Sequence, residues 1–430
     1  MTATGSDPVR GVLRVGVVGG SIAGCTAAME LLRSGHEVLV FERSRGGLTG
    51  RGAGIGTPVD TLELMIDRGL IGRNIPHFRV SEHPLAGRSS ASDRLGRTAL
   101  TLPLNMALLN WGDLWGELRR RIPDEAYREG EEIVGVEGDG DGVTLVGGTG
   151  ERRAVDLVLF ADGYRSLGRR MLFPDVELNY RGYVLWRGVL EEARLSDAGP
   201  LETALYRLHF KGLPGNAVFY FVPGADGSTR RGDRWVNWAC YIPIGPADLP
   251  DFLIDRHGEA RGSSIPPGAM RLSEERRLKE LMARHLPGYF SEIVSRSVET
   301  FAQPIYTATV PAYAEGRVAL LGDAGSVAPP FTGSGVFKAM MNAVELASAL
   351  REAGSLEQGL QEWSREQTLR GERLESLGLQ MEQAFVWDAP DLSALTPAEA
   401  ESWWRDSIRF PDDFTYLAEA ESEHAPGGRG

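Results

Sequence analysis

The hydrophobic and polar positions of the chain fall into runs whose period changes along its length. Val15 to Val18 is apolar and β-branched and reads as a buried strand. The small-residue turn Gly19-Gly20-Ser21-Ile22-Ala23-Gly24 follows. From Cys25 to Arg33 apolar positions recur at helical spacing until Gly35 stops them. Val38 to Phe41 is a second strand-like run, ending on Glu42. Together these predict a strand–helix–strand unit of about 30 residues with an acid about 20 positions beyond the turn.

Farther along, the period predicts a helix over Thr61–Leu70. It predicts another from Trp111 to Leu118, with Trp111, Leu114, Trp115 and Leu118 on one face. Strand-like runs cover Glu131–Glu137, Val143–Val146 and Ala154–Phe160, the first two joined by the hairpin signal Asp139-Gly140-Asp141-Gly142. From about Tyr180 to Ile244 the pattern turns to aromatic-rich strands at Tyr183–Leu190, Ala217–Val222 and Trp235–Ile242. Glu274–His285 reads as a helix, and Arg317–Ala324 as a buried strand that delivers Asp323 at its end. Pro329-Pro330-Phe331-Thr332-Gly333-Ser334-Gly335 reads as a turn into a helix starting near Val336. A charged amphipathic helix follows from Leu356 to Phe385. Its stripe of Leu360, Trp363, Leu374, Leu377 and Met381 is expected to pack on the body, a homodimer seam being its other use. The fold class expected is therefore α/β, a Rossmann-like domain with an inserted, mainly antiparallel β-sheet and a long C-terminal helix.

Composition narrows the function. At 430 residues the chain exceeds one compact core. A net charge of −13 argues against nucleic acid or an anionic membrane as partner, so any bound anion must be held locally. The two cysteines, Cys25 and Cys240, lie far apart and read as packed thiols; no metal site is expected, and a reducing, cytoplasmic setting is. The N-terminus has no apolar signal region, and no run approaches the length of a membrane span.

The chemistry sits in the turns. Small residues at Gly19–Gly24 let backbone approach a pyrophosphate at a helix N-terminus, and Glu42 can accept hydrogen bonds from a ribose. Gly322-Asp323 is a second strand-end carboxylate, and Gly333-x-Gly335 a second glycine turn at a helix start. The two turns suit one long dinucleotide lying across the sheet's C-terminal edge. Arg51, in the glycine-dense segment 46–56, is placed to neutralise a phosphate.

These residues resemble the single-component FAD-dependent aromatic hydroxylases, from Val15 to about Leu379, and within them the dihydroxypyridine- and salicylate-hydroxylase-like members. The family's G-x-G-x-x-G matches Gly19–Gly24 with Ser21 at the second glycine. Its D-G motif matches Asp162-Gly163, its G-D motif Gly322-Asp323, and its P-x-x-G-x-G Pro330–Gly335. The likeness to the named members rests on Tyr180–Gly188, Trp235-Val236-Asn237-Trp238 and Ser264–Gly268. Where many members carry R-x-x-L, this chain has Trp111-Gly112-Asp113-Leu114, so no cofactor contact is assigned at Trp111.

The resemblance implies a cofactor, FAD, whose ADP end is held by Gly19, Ser21, Ile22, Ala23 and Gly24 with Glu42 and Arg43. It implies that the glycine-dense loop adds Arg51, Ala53 and Gly54, that Asp162, Gly322 and Asp323 also contact FAD, and that Pro330, Gly333, Ser334 and Gly335 lie beside the flavin ring. It implies FAD-binding segments at 12–75, 106–179 and 301–350, and substrate-binding segments at 76–105 and 180–300. A helical segment at 351–420 and a disordered tail at 421–430 complete the expected organisation. The implied reaction uses NADH or NADPH as a transient hydride donor and passes one atom of O2, through a flavin C4a-hydroperoxide, to a small electron-rich aromatic or heteroaromatic compound.

The catalytic residues expected are His209 as base and Pro330 beside the flavin. Trp186, Arg187, Tyr206, Phe219, Trp238, Tyr241 and Phe331 are the pocket candidates, with strand alternation turning about half of the sheet residues away. Epoxidation or Baeyer–Villiger oxidation of a secondary metabolite are alternative outcomes of the same chemistry. A halogenase is set against Cys240, which replaces the second tryptophan of W-x-W-x-I-P in Trp238–Pro243, and a non-enzymatic flavin sensor against the intact Asp162 and Asp323.

Overall fold

A computed structural model describes residues 11–48, 54–138 and 142–408. The opening unit folds as its pattern dictates. β1 (Arg14–Val18) passes through the glycine turn into α1 (Ile22–Arg33) and returns as β2 (Glu37–Glu42), parallel to β1 from Val15↔Val38 to Val18↔Phe41. The helix starts at Ile22, ahead of the first residue its apolar period marks, because Ser21 is already its extended N-cap residue. There follow β3 (Gly54–Pro58), α2 (Val59–Asp67), the long strands β4 (Phe78–Gly87) and β5 (Arg97–Asn110), α3 (Trp111–Arg119) and β6 (Tyr127–Glu129).

β7 (Ile133–Gly138), β8 (Val143–Gly147) and β9 (Arg152–Val155) make a three-stranded antiparallel sheet, and β10 (Leu157–Phe160) rejoins β1. The single strand expected over Ala154–Phe160 is thus two. Asp156 divides it, its N–H donating to the Arg14 carbonyl while its carboxylate pairs with the Arg14 guanidinium. After α4 (Leu167–Leu172) come β11 (Asn179–Glu191), β12 (Tyr206–His209), β13 (Asn216–Val222) and β14 (Trp235–Pro243), then α5 (Leu249–Phe252), α6 (Leu272–His285) and α7 (Gly288–Arg296). The chain closes with β15 (Phe301–Thr309), β16 (Ala314–Glu315), β17 (Val318–Leu320), β18 (Ser326–Val327), α8 (Gly335–Glu352), α9 (Leu356–Glu382) and α10 (Pro397–Ser407). The C-terminal helix expected to reach Phe385 ends at Glu382 and continues as a π-helical turn, Gln383–Trp387.

Two large sheets organise the molecule. The first has the order β16-β17-β10-β1-β2-β6, parallel except for β16. Its central strands are buried along β10 and from Val15 to Val18 of β1, as a parallel sheet covered on both faces requires. The second has nine strands in the order β18-β15-β11-β14-β13-β12-β4-β5-β3, antiparallel except where β12 runs beside β4. One face packs Trp186, Phe219 and Trp238 against Phe290 and Ile293 of α7; the other packs Leu185, Tyr220 and Tyr241 towards Phe331, Phe385 and Trp404. The α9 stripe from Leu360 to Met381 is buried within the chain. Among the described residues no helix is long and apolar enough to cross a membrane, and Cys25 and Cys240 are both buried free thiols.

Candidate active site

The glycine turn after β1 leaves no room for a side chain at Gly19, Gly20 or Gly24. Gly19 has φ +102°, and a Cβ there would stand 2.4 Å from the Ala161 carbonyl oxygen. On Gly24 a Cβ would stand 1.9 Å from the Gly19 oxygen, and on Gly20 2.1 Å from the Tyr127 hydroxyl. The turn is also tied from outside. The Gly20 carbonyl accepts from Trp115 Nε1 at 2.9 Å, from the Tyr127 hydroxyl at 3.0 Å and from Cys25 Sγ at 3.2 Å. Glu42, at the end of β2 and buried, accepts from Gly20 N at 3.0 Å and from Ser44 N at 2.8 Å. Ser21 sits at the N-cap with its hydroxyl making no capping bond; Ile22 and Ala23 are buried in the first turn; Arg43 is exposed just beyond Glu42. Trp115 and Tyr127 were not singled out from the sequence, where Trp115 reads only as one residue of an apolar helix face.

The second half of the site comes from far along the chain. Gly322, at φ +58°, is where the halves touch: a Cβ there would stand 3.1 Å from Ala339 of α8 and 3.3 Å from Ala23 of α1. Asp323 keeps 49% of its side chain exposed and faces Lys338 Nζ at 3.5 Å. The buried Lys338 also donates to the Ser326 carbonyl, and burial lowers its pKa. Arg169, buried, donates to the carbonyls of Asp323 (3.0 Å), Ala324 (3.2 Å) and Tyr164, stapling the D-G segment to the G-D segment. Asp162 Oδ2 accepts from Leu167 N at 2.6 Å, while its buried Oδ1 has no partner and burial raises its pKa. Pro330–Thr332 form a single 3₁₀ turn, Gly333 adopts φ +65°, and α8 opens at Gly335. The residues present fit a dinucleotide: two helix N-termini without acidic residues in their first turns, a turn that admits no side chain at Gly19, Gly20 or Gly24, and a buried Asp162 oxygen left without a partner.

A cavity of about 1360 Å³ extends from Asp323 and the Pro330–Gly335 turn across the second sheet to Trp404 of α10. Strand alternation decides who faces it. Arg187, Tyr241 and Phe331 line it, as do Pro330, Gly333, Ser334, Gly335 and Gly54. Trp186, Tyr206, Phe219 and Trp238 do not: they point to the opposite face, where Trp186 meets Trp238 edge-on at 4.9 Å and Phe290 packs on Tyr206 and Phe219. His209 does not line it either. Its ring is buried against Trp403 (5.1 Å) and Phe385 (6.1 Å), both nitrogens are without partners, and burial, then Arg207, holds its pKa down to about 3. Arg51 and Ala53 lie outside the described residues.

The imidazole that does line the cavity is His83 of β4. Its Nδ1 lies 2.8 Å from the Leu205 carbonyl, which can only accept, so Nδ1 carries the hydrogen and Nε2 is an acceptor. Tyr220 and Arg187 both donate to the Gly54 carbonyl, at 2.9 and 2.6 Å, and Gly54 N donates to Asn237 at 2.9 Å, which fixes where the glycine-dense loop leaves the sheet. Tyr241 and Phe331 stand 4.5 Å apart as one aromatic wall. His83, Arg207 and Tyr220 escaped the sequence reading, although a strand carrying Arg207 between Tyr206 and Leu208 was a visible anomaly.

A model described as an FAD binding domain matches residues 12–239 and 258–376, and one described as FAD binding domain-like matches residues 180–307. The chain belongs to the FAD-binding-domain family. It is a flavin-dependent monooxygenase of the aromatic-hydroxylase type within that family, and FAD is its cofactor. This family member is 28% identical over 360 residues to the 2,6-dihydroxypyridine 3-monooxygenase of Paenarthrobacter nicotinovorans, covering 83% of this chain and 88% of that one. It is 26% identical over 368 residues to the chloroplastic zeaxanthin epoxidase of Solanum lycopersicum, covering 80% of this chain and 49% of that longer one. Among solved structures, 2,6-dihydroxypyridine-3-hydroxylase from Arthrobacter nicotinovorans shares its fold with a TM-score of 0.80 at 24% identity, over 95% of this chain and 98% of that one.

Proposed function

We propose that the protein consumes NADH or NADPH and O2 to place one oxygen atom on a small, electron-rich, hydroxylated aromatic or heteroaromatic compound. The balance is substrate–H + O2 + NAD(P)H + H⁺ giving substrate–OH + H2O + NAD(P)⁺. The observation that carries this reading is the unbroken cavity between the Asp323 and Pro330–Gly335 side and the Tyr241–Phe331 aromatic wall. FAD, when bound, supplies the electron transfer and oxygen activation. The chain's residues do the rest. In this reading the Gly19–Gly24 turn and Glu42 hold the ADP end, and Asp323 and the Pro330–Gly335 turn hold the flavin end. The wall orients a planar ring, and Leu185, Val218, Ala239 and Met381 keep its surroundings dry. Tyr220, its pKa pushed up to about 12 by burial, stays protonated and serves as an anchor for Gly54, not as a base. His83 Nε2 is the cavity's imidazole acceptor for a substrate hydroxyl.

In this reading the purified protein is yellow and oxidises NAD(P)H slowly. A panel of hydroxylated aromatics and pyridines contains at least one member that accelerates the oxidation and leaves a product heavier by one oxygen. A panel giving neither acceleration nor such a product overturns the reading. The likeness to an epoxidase supports a second outcome of the same chemistry, oxygen added across a double bond, and the product's structure separates the two.

A further inference from the structure

Where α10 closes the cavity, two polar atoms are left that nothing described in the chain engages. The chain completes the indole N–H of three buried tryptophans. Trp115 donates to the Gly20 carbonyl at 2.9 Å, Trp238 to Ser297 Oγ at 2.8 Å and Trp363 to the Asn342 carbonyl at 3.0 Å. Trp186 leaves its N–H unpaired, sealed in the core behind the sheet. Trp404 of α10 differs from all four, because it lines the cavity. It is 9% exposed and its Nε1 has no partner among the described residues, yet it is not sealed as Trp186 Nε1 is. The histidines repeat the contrast. Both His209 nitrogens are sealed and unpaired, whereas His83 commits only Nδ1, to the Leu205 carbonyl, and leaves Nε2 open to the cavity it lines.

The two open atoms belong to rings that touch. Trp404 meets His83 edge-on, with centroids 5.7 Å apart, and stacks on Phe385 at 5.7 Å with 12° between the planes. The helix that carries Trp404 is fixed independently of the indole N–H. Thr396 and Glu399 form a capping box at its start, Arg97 of β5 donates to the Ser393 carbonyl just before it, and Gln380 of α9 donates to the Asp406 carbonyl at 2.7 Å. Phe385 stands between Trp404 and Phe331 of the Pro330–Thr332 turn, 5.6 Å from the latter. The pair therefore lies one aromatic ring back from that turn.

Their chemistry is complementary. His83 Nδ1 carries the hydrogen, so Nε2 only accepts, and burial keeps the ring neutral by holding its pKa down to about 3. Trp404 Nε1 only donates. The single atom that satisfies both must give a hydrogen and take one, and a hydroxyl oxygen does so. An ether oxygen or an ionised oxygen only accepts, and sets its lone pairs against that of Nε2.

We infer that His83 Nε2 and Trp404 Nε1 together bind one un-ionised hydroxyl already present on the substrate, His83 accepting its hydrogen and Trp404 donating to its oxygen. The inference rests on the monooxygenase reading for the word substrate, but the site itself is tested by binding alone. It makes α10 a specificity element and adds Trp404 to the residues that orient the ring.

The test titrates FAD-loaded protein with 2-naphthol and with 2-methoxynaphthalene, following flavin absorbance and ligand fluorescence. The methyl ether keeps the rings and the oxygen but has no hydrogen for His83. 2-Naphthol should bind about ten-fold or more tightly, the difference made by a hydrogen bond whose loss leaves a buried acceptor unpaired. Trp404→Phe keeps a ring on Phe385 without the donor. His83→Asn keeps an amide near the Leu205 carbonyl without an atom at Nε2. Each should bring the two ligands within about three-fold of one another, with FAD still bound and the ether's own affinity unchanged, which guards against a folding defect. Because one hydroxyl serves both atoms, the double variant should lose little more than either single one. Equal binding of the two ligands to the unaltered protein, no binding of 2-naphthol, or a preference that survives either substitution would overturn the inference. So would losses that multiply in the double variant, since the two atoms would then engage separate groups. No turnover is needed, so a monooxygenase reading that fails leaves this result interpretable.

Discussion

The imidazole of His209 illustrates how burial changes what a titratable residue can do. A base has to reach the reacting proton, and His209 is walled off by Phe385 and Trp403. Its consequence is for stability. His209 and His83 are both held down to about 3, chiefly by burial and then by Arg207, against an ordinary value of 6.5. Both are neutral when folded and take up protons on unfolding anywhere between pH 6.5 and pH 3. Their contribution is therefore whole above 6.5 and is lost as the pH falls through that window. Each adds a slope of about 1.4 kcal/mol per pH unit well below 6.5. Urea unfolding between pH 7 and pH 4 should show this fall, and His209→Phe should remove one histidine's share; an unchanged slope would place the protons elsewhere.

At the scale of elements, α9 and its π-helical extension form the roof over the second sheet. Glu382, buried at the junction of the two, accepts from Arg181 (2.7 and 3.0 Å) and from the Tyr183 hydroxyl (2.9 Å), pinning the roof to β11. Glu382→Gln keeps the shape but removes the charge, and should lower the unfolding free energy by about 1–3 kcal/mol in urea titration. Partial exposure of Arg181 keeps the figure at the lower end. A change below a few tenths of a kcal/mol would mean the pin is decorative. The same sheet shows what was legible. Period-2 patterning found β11, β13 and β14 and implied that half their residues face the cavity, but parity is set by register with neighbours, which a single sequence does not carry. Choosing by aromatic bulk led to Trp186, Phe219 and Trp238, whose large apolar rings gain more by packing with Phe290 in the core. Polarity was the better guide, since Arg187, Arg207, Tyr220 and Tyr241 all share the cavity face. β4 and β5 went unread because β5 turns from half-exposed alternation to full burial within one strand.

Across the whole molecule, the glycine turns were legible because close backbone approach demands glycine at fixed places, and Gly19, Gly24 and Gly322 each fill a space where a Cβ would collide or crowd. The contacts that join those pieces, Arg169 and the donors around Gly20, were not, since they arise from side chains separated by up to 155 residues. One of those donors turns the turn into a clock. Cys25 rests its thiol on the Gly20 carbonyl with its pKa pushed up to about 12 by burial, so alkylation waits for the turn to open. Cys240, deep in the second sheet, times a different opening. Mass spectrometry of alkylated protein should find Cys25 labelled faster than Cys240, and added FAD should slow Cys25 alone. Equal rates that ignore FAD would mean that the turn opens only when everything does. With the difference expected here, one cysteine measures in solution how often the glycine turn after β1 lets go.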